Sequence, residues 1–134
     1  MTTLPTSSNP TELSPNIRPS HSNKIYFVHS FNHLAAALHA GNIARGFWPA
    51  GEQRNNAELI ALMHSELSEA LEGLRHDNPP SDHIPEFTSV EEELADCIIR
   101  IMDMAAARNY RVAEALIAKV EFNNSRPYKH GKLF

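Results

Sequence analysis

Two stretches of this chain, residues 57–76 and 90–108, set apolar side chains at helical spacing and carry a carboxylate pair at the same edge of each apolar stripe. The pairs are Glu66 with Glu69, and Glu93 with Asp96. Spacing of i, i+3 puts both members of a pair on one side of a helix. At about 100° per residue, with Glu66 taken as zero, Leu59, Ala70, Met63, Leu74, Leu67, Ile60 and Leu71 fill an arc to one side. Glu69 lies about 60° to the other side. With Glu93 as zero, Met104, Cys97, Val90, Ile101, Leu94, Ala105 and Ile98 fill the corresponding arc, and Asp96 again falls about 60° away. Packing the two stripes together brings four carboxylates to one rim.

The rest of the chain also reads as helix. Residues 25–44 carry Phe27, Val28, Phe31, Leu34, Ala35 and Leu38, and Gly41 and Gly46 bracket their end. Residues 112–123 form a fourth segment, and the short Asn109-Tyr110 turn predicts that it runs antiparallel to the third. Asn55 and Glu58 mark the start of the second helix, and Ser89 and Glu92 have capping-box spacing for the third. Asp77-Asn78-Pro79-Pro80 breaks the chain between them. No stretch alternates with period 2 long enough for a sheet, so the expected fold is all-α and four-helix-bundle-like. Residues 1–23 are rich in Thr, Ser, Pro and Asn without a hydrophobic period, which predicts a flexible N-terminal tail. Residues 24–134 then form one helical domain, ending in a polar, basic segment.

Charge and cysteine usage narrow the partners. With 16 acidic against 12 basic residues there is no broad basic surface for nucleic acid. The single cysteine, Cys97, excludes an intrachain disulfide and fits a reducing cytoplasm. Residues 1–14 lack the basic start and apolar stretch of a signal peptide. No apolar run approaches the roughly 18–20 residues that span a bilayer, so a soluble cytoplasmic protein is expected.

Four anions on one rim need relief. Two unit charges about 5 Å apart at an effective dielectric near 20 repel by roughly 3 kcal/mol. A domain's whole stability is only about 5–15 kcal/mol. Divalent cations resolve the conflict, and all-oxygen ligation suits Mg²⁺ or Mn²⁺. Either pair alone has a simpler reading. Glu91, Glu92 and Glu93 open a helix, where the dipole favours acids, and Glu69 and Glu72 face solvent beside Arg75 and His76. The same geometry repeated on adjacent helices favours the metal. Zinc and a di-iron bundle are disfavoured, because the histidines form no HxxxH or ExxH pair aligned with the acidic set.

At these residues the chain resembles the MazG-like all-α nucleoside triphosphate pyrophosphohydrolases. Their signature, ExxE followed after a spacer by ExxD, reads here Glu66-Leu67-Ser68-Glu69 and Glu93-Leu94-Ala95-Asp96. The likeness takes in Gly46-Phe47-Trp48 upstream and the run from Lys119 to Gly131 downstream, so it covers nearly all of 32–132. It implies that (d)NTP and water become (d)NMP and pyrophosphate. Glu66, Glu69, Glu93 and Asp96 would be catalytic and would hold Mg²⁺ or Mn²⁺, two or more ions per site. It also implies that Lys119 and Asn123 contact phosphate or sugar, that Arg100 lines the site, and that aromatics near Trp48 pack on the base. Arg126 and the basic tail would close over phosphates. Spacing agrees in part, since Asp96, Arg100 and Asp103 share one helix face and Lys119 and Asn123 another. The plain alternatives are a core anchor for Trp48, a solvated pair for Lys119 and Asn123, and subunit pairing for Arg126.

About 110 ordered residues in four helices make a small core, yet Leu59 to Met63 is apolar around more of its helix than one partner can cover, which predicts a homodimer at least. The resemblance implies a tetramer (dimer of dimers). One position departs from it. Many relatives carry a Glu before ExxE that is proposed as general base, and Ser65 stands there. Water activation then falls to the metals or to Glu92 or Asp103. Small phage-encoded MazZ-type members are similar in length and in the Gly-Phe-Trp segment, which points to dGTP or GTP. A dCTP/dUTP or phosphoribosyl-ATP pyrophosphohydrolase shares the same carboxylates, as would a non-catalytic metal-binding helical oligomerisation module.

Overall fold

The computed structural model describes residues 19–126. In chain order it contains α1 (His21–Ala44), α2 (Asn56–Arg75), α3 (Ser89–Arg108) and α4 (Val112–Asn124). Among the described residues there is no strand, only an isolated antiparallel bridge between Pro80 and Thr88. The architecture is therefore all-α. Most of the expected N-terminal tail, and the chain beyond Arg126, lie outside the described residues.

Local chemistry sets the helix ends, and twice it differs from the sequence reading. α1 starts four residues earlier than expected, because the Ser20 hydroxyl accepts the Asn23 N–H at 3.2 Å and caps the first turn. The helix thus takes in residues that composition alone had assigned to the tail. α3 is capped by Thr88 and not by Ser89. The Thr88 hydroxyl accepts the Glu91 N–H at 3.3 Å, and the Glu91 carboxylate accepts the Thr88 N–H at 2.7 Å. This reciprocal box satisfies two donors that would otherwise be orphaned. Ser89 becomes a helical residue whose hydroxyl is buried without a hydrogen-bond partner among the described residues. α2 begins as expected, with the Asn55 side chain accepting from the Ala57 N–H at 2.8 Å. α3 ends at Asn109, whose φ of 53° places it in the left-handed region that Asn tolerates.

α3 is the central helix. α2 packs along one side of it and α1 along another, while α4 packs mainly on α1. The α2–α3 pair is antiparallel: Gly73 approaches Ser89 and Val90 near one end, and Glu66 pairs with Arg100 farther along. The close approach depends on glycine. A Cβ at position 73 would lie 2.5 Å from the Ser89 hydroxyl.

The core is built from small and flexible residues: Ala35, Leu59, Ala70, Cys97, Met102, Met104, Ala105 and Ala113 are buried. Each amphipathic stripe is only half used. Ile60, Leu67, Leu71 and Leu74 on α2, and Leu94 and Ile98 on α3, remain 44–58% exposed. In antiparallel neighbours the same rotational sense turns both exposed arcs to one side of the seam. Glu69 and Asp96, on the opposite edge of each stripe, turn to the other side. One flank of the α2–α3 layer is thus apolar and the other acidic. Among the described residues no helix is long and apolar enough to cross a membrane.

Candidate active site

Three of the four signature carboxylates converge. Glu66, Glu69 and Glu93 each offer an oxygen, and these oxygens lie within 4.8 Å of one another. Helical spacing aims Glu66 and Glu69 from α2, and Glu93 meets them across the α2–α3 seam. Their settings differ: Glu66 is 5% exposed, Glu93 half-buried and Glu69 open to solvent. Burial, the nearby charge of Glu69 and a hydrogen bond with Glu66 push the Glu93 carboxyl up to about 7. Burial and the charge of Glu66 also raise the Asp96 carboxyl above its usual range. Among the described residues the buried Glu66 has one cationic partner, Arg100, whose Nε donates to Glu66 Oε1.

Asp96 stands beside this cluster, on the wall of an open cleft of about 400 Å³. The cleft is lined by Asn42, Phe47, Arg54, Leu62, Asp96, Ile99, Arg100 and Asp103. Arg100 belongs to both features, since it pairs with Glu66 and lines the cleft. The floor is organised by Asp103, which is 6% exposed. Its carboxylate lies 2.7 Å from His39 Nδ1 and accepts from Asn42 Nδ2 at 2.8 Å and from Trp48 Nε1 at 3.0 Å. A buried carboxylate needs such donors, and these three tie α1 and the 46–55 loop to α3.

Trp48 is consequently held. Its indole N–H is committed to Asp103, His39 meets its ring edge-on at 5.0 Å, and the Arg54 and Arg108 guanidinium carbons sit 5.2 and 5.4 Å from its centroid. Arg108 is fixed in turn, donating to the Arg54 carbonyl at 2.6 Å and to the Asn56 side chain at 2.8 Å. Phe47, the neighbouring aromatic, lines the cleft and is 59% exposed. The structure therefore puts Phe47, and not Trp48, on the cleft wall.

The two carboxylates named as alternative bases are both engaged. Asp103 holds its three donors. Glu92 accepts from the Ser81 hydroxyl at 2.5 Å and lies 2.7 Å from His83 Nδ1. Those two hydrogen bonds hold its carboxyl below the usual range. The Ser81 hydroxyl also accepts the N–H groups of His83 and Ile84 at 3.1 and 3.0 Å, so Glu92 pins the loop between α2 and α3. Ser65 is turned back on its own helix, donating to the Leu62 carbonyl at 2.7 Å.

The residues expected from α4 and the basic segment after it are not brought to the cleft within one chain. Lys119 lies over the Phe122 ring at 4.6 Å and Arg126 lies 5.8 Å from the same ring, while Asn123 is exposed. None of the three lines the cleft. Conversely, the sequence does not mark His39, Asn42 and Arg54 as site residues, and it marks Phe47 only as part of the Gly46-Phe47-Trp48 segment. For Arg54 the available signal was its place next to the α2 cap, and for Phe47 its place beside Trp48. His39 and Asn42 sit on a helix whose apolar residues show no single face, and nothing local marks them. Compared with protein-family profiles, with curated proteins and with solved structures, the chain matches none.

Proposed function

We propose that the chain is a metal-dependent nucleoside triphosphate pyrophosphohydrolase of the MazG-like kind, splitting a (d)NTP into (d)NMP and pyrophosphate. The observation that carries this reading is the adjacency of a three-carboxylate cluster to a cleft bearing two arginines, joined through Arg100. A triphosphate is a polyanion, so carboxylates alone repel it and arginines alone do not activate it. A site with cation ligands on one flank and guanidinium donors on the other fits both needs.

The donor set fits Mg²⁺ or Mn²⁺. It is all-oxygen, and burial first, then the negative charge of Glu69, raises the proton affinity of Glu93 within it. Glu66, Glu69 and Glu93 would hold the ion, with Asp96 as a further ligand on the cleft side. When bound, the cation supplies charge neutralisation at the phosphates and a water of lowered pKa. The chain's own residues do the remainder. Arg54 and Arg100 orient phosphate oxygens, Phe47 offers a flat apolar face to the base, and the Asp103 network keeps that wall rigid. A cleft of about 400 Å³ is in the range of small-molecule sites.

The reading includes a homo-oligomer. The exposed arc of Leu67, Leu71, Leu74, Leu94 and Ile98 is a continuous apolar flank, and a second copy of the same surface covers it.

The test is a panel of ribo- and deoxyribonucleoside triphosphates incubated with Mg²⁺ or Mn²⁺, with products separated by nucleotide chromatography. Monophosphate and pyrophosphate are expected from at least one member, guanine nucleotides first. Glu69→Gln and Asp96→Asn are each expected to lower turnover by orders of magnitude without lowering the apo melting temperature. Near-normal turnover in both variants, or no hydrolysis across the panel, would remove the reading.

A further inference from the structure

Glu66 is the most buried member of the carboxylate cluster, and its one cationic partner among the described residues is not on its own helix. Arg100 reaches it from α3, leaving the carboxylate side chain only 6% exposed while the arginine side chain remains 39% exposed. The pair is thus asymmetric: an enclosed acceptor and a long donor with room to move. Arg100 also lines the cleft beside Asp96 and Asn42, so a change of rotamer turns its guanidinium from the cluster toward a ligand in the cleft. A cation held by Glu66 and Arg100 compete for the same oxygen, because both are positive and the Glu66 carboxylate is buried.

We propose that Arg100 is an exchangeable counter-ion: it neutralises Glu66 when no divalent cation is bound and transfers to the nucleotide's phosphates as the cation takes its place. This rests on the metal-dependent reading above and deepens it. Exchange makes the two ligands cooperative. The cation displaces Arg100 from Glu66, and the polyphosphate gives the displaced guanidinium a bidentate partner. Each ligand therefore favours the arrangement the other needs, which is the condition for positive coupling. In this role Arg100 is a positioning residue for cation entry and a binding residue for phosphate.

The experiment measures Mn²⁺ binding alone, by the loss of the free-ion electron paramagnetic resonance signal, on the full chain. The variants are Arg100→Gln, Arg100→Lys, Arg54→Gln and Glu66→Gln. Arg100→Gln is expected to bind Mn²⁺ about tenfold more tightly than the wild type, since the competitor is gone. Arg54→Gln removes the same charge from the same cleft without freeing Glu66, so its gain should be under about threefold. Arg100→Lys should fall near the wild type. In steady-state hydrolysis at saturating Mn²⁺, Arg100→Gln should raise KM for the nucleotide by at least about tenfold, more than it lowers kcat.

Arg100→Gln binding Mn²⁺ no more tightly than Arg54→Gln would overturn the exchange while leaving the metal site standing. Mn²⁺ binding that survives Glu66→Gln unchanged would place the ion elsewhere and overturn the metal reading together with this inference.

Discussion

Replacing Glu93 by Gln separates what the carboxylate cluster costs the fold from what it does when loaded. Burial, the charge of Glu69 and a hydrogen bond with Glu66 push the Glu93 carboxyl to about 7 from its ordinary 4.5. The folded chain therefore holds this proton more tightly than the unfolded chain does. The resulting contribution to stability is complete below 4.5 and is lost as pH rises through about 7. At about 1.36 kcal/mol for each pH unit, the whole interval is worth about 3 kcal/mol. Glu93 is only partly buried, so solvent screening brings the expected loss to about 1–2 kcal/mol. Gln keeps the shape of the side chain and never ionises. At about pH 8, with chelator and at fixed protein concentration, Glu93→Gln should melt about 4–8 °C above the wild type. Near pH 4.5 the difference should vanish. With Mn²⁺ at a hundredfold over its Kd the wild type gains about 2.7 kcal/mol, and the order should reverse because the variant has lost a ligand. Differential scanning calorimetry at both pH values, with and without Mn²⁺, reads all of this. A variant that melts below the wild type at pH 8 in chelator would refute the argument, since an ionised Glu93 would then be held by a favourable partner.

The other predictions address the scaffold and the assembly. Asp103→Asn turns an acceptor of three donors into a group that presents its own N–H, so it should cost about 2–4 kcal/mol and shift Trp48 fluorescence. An unchanged melt and spectrum would show that the network is incidental. Thr88→Ala should cost about 1 kcal/mol through loss of the capping box, whereas Ser89→Ala should cost nothing or stabilise, because the Ser89 hydroxyl is buried without a partner among the described residues. Equal losses in urea melts would contradict the assignment of the cap. Light scattering at micromolar concentration should find a dimer or larger, and Leu71→Glu should disperse it. A wild-type monomer would leave the apolar flank without this explanation.

The sequence by itself determined the helices and the composition of the cluster. Periodicity of about 3.6 residues is a local property, so the segments holding Leu59 to Leu74 and Val90 to Ala105 were legible before any packing was known. So was the i, i+3 geometry that places Glu66 with Glu69 and Glu93 with Asp96. The caps of α2 and α3 were legible to within a residue, whereas the Ser20 cap of α1 was not. Thr88 and Ser89 are both competent, and the choice fell to Thr88, where the reciprocal bond with Glu91 closes and Glu92 is left to hold Ser81 and His83.

Only the tertiary structure decided which residues meet from different elements. The cleft joins Asn42 of α1, Phe47 and Arg54 of the following loop and Asp103 of α3, contacts separated by some fifty to sixty residues. No local pattern encodes such pairs, because the energy that selects them comes from satisfying one buried carboxylate with donors wherever the fold supplies them. The same reason moved the aromatic wall from Trp48 to Phe47. Asp103 recruited the indole N–H, and the Trp48 ring was then covered by two guanidinium groups. The place of α4 was also beyond local reading: a short turn allows packing on either neighbour, and α1 offered Phe27 to the apolar side chains of Leu116, Ile117 and Val120.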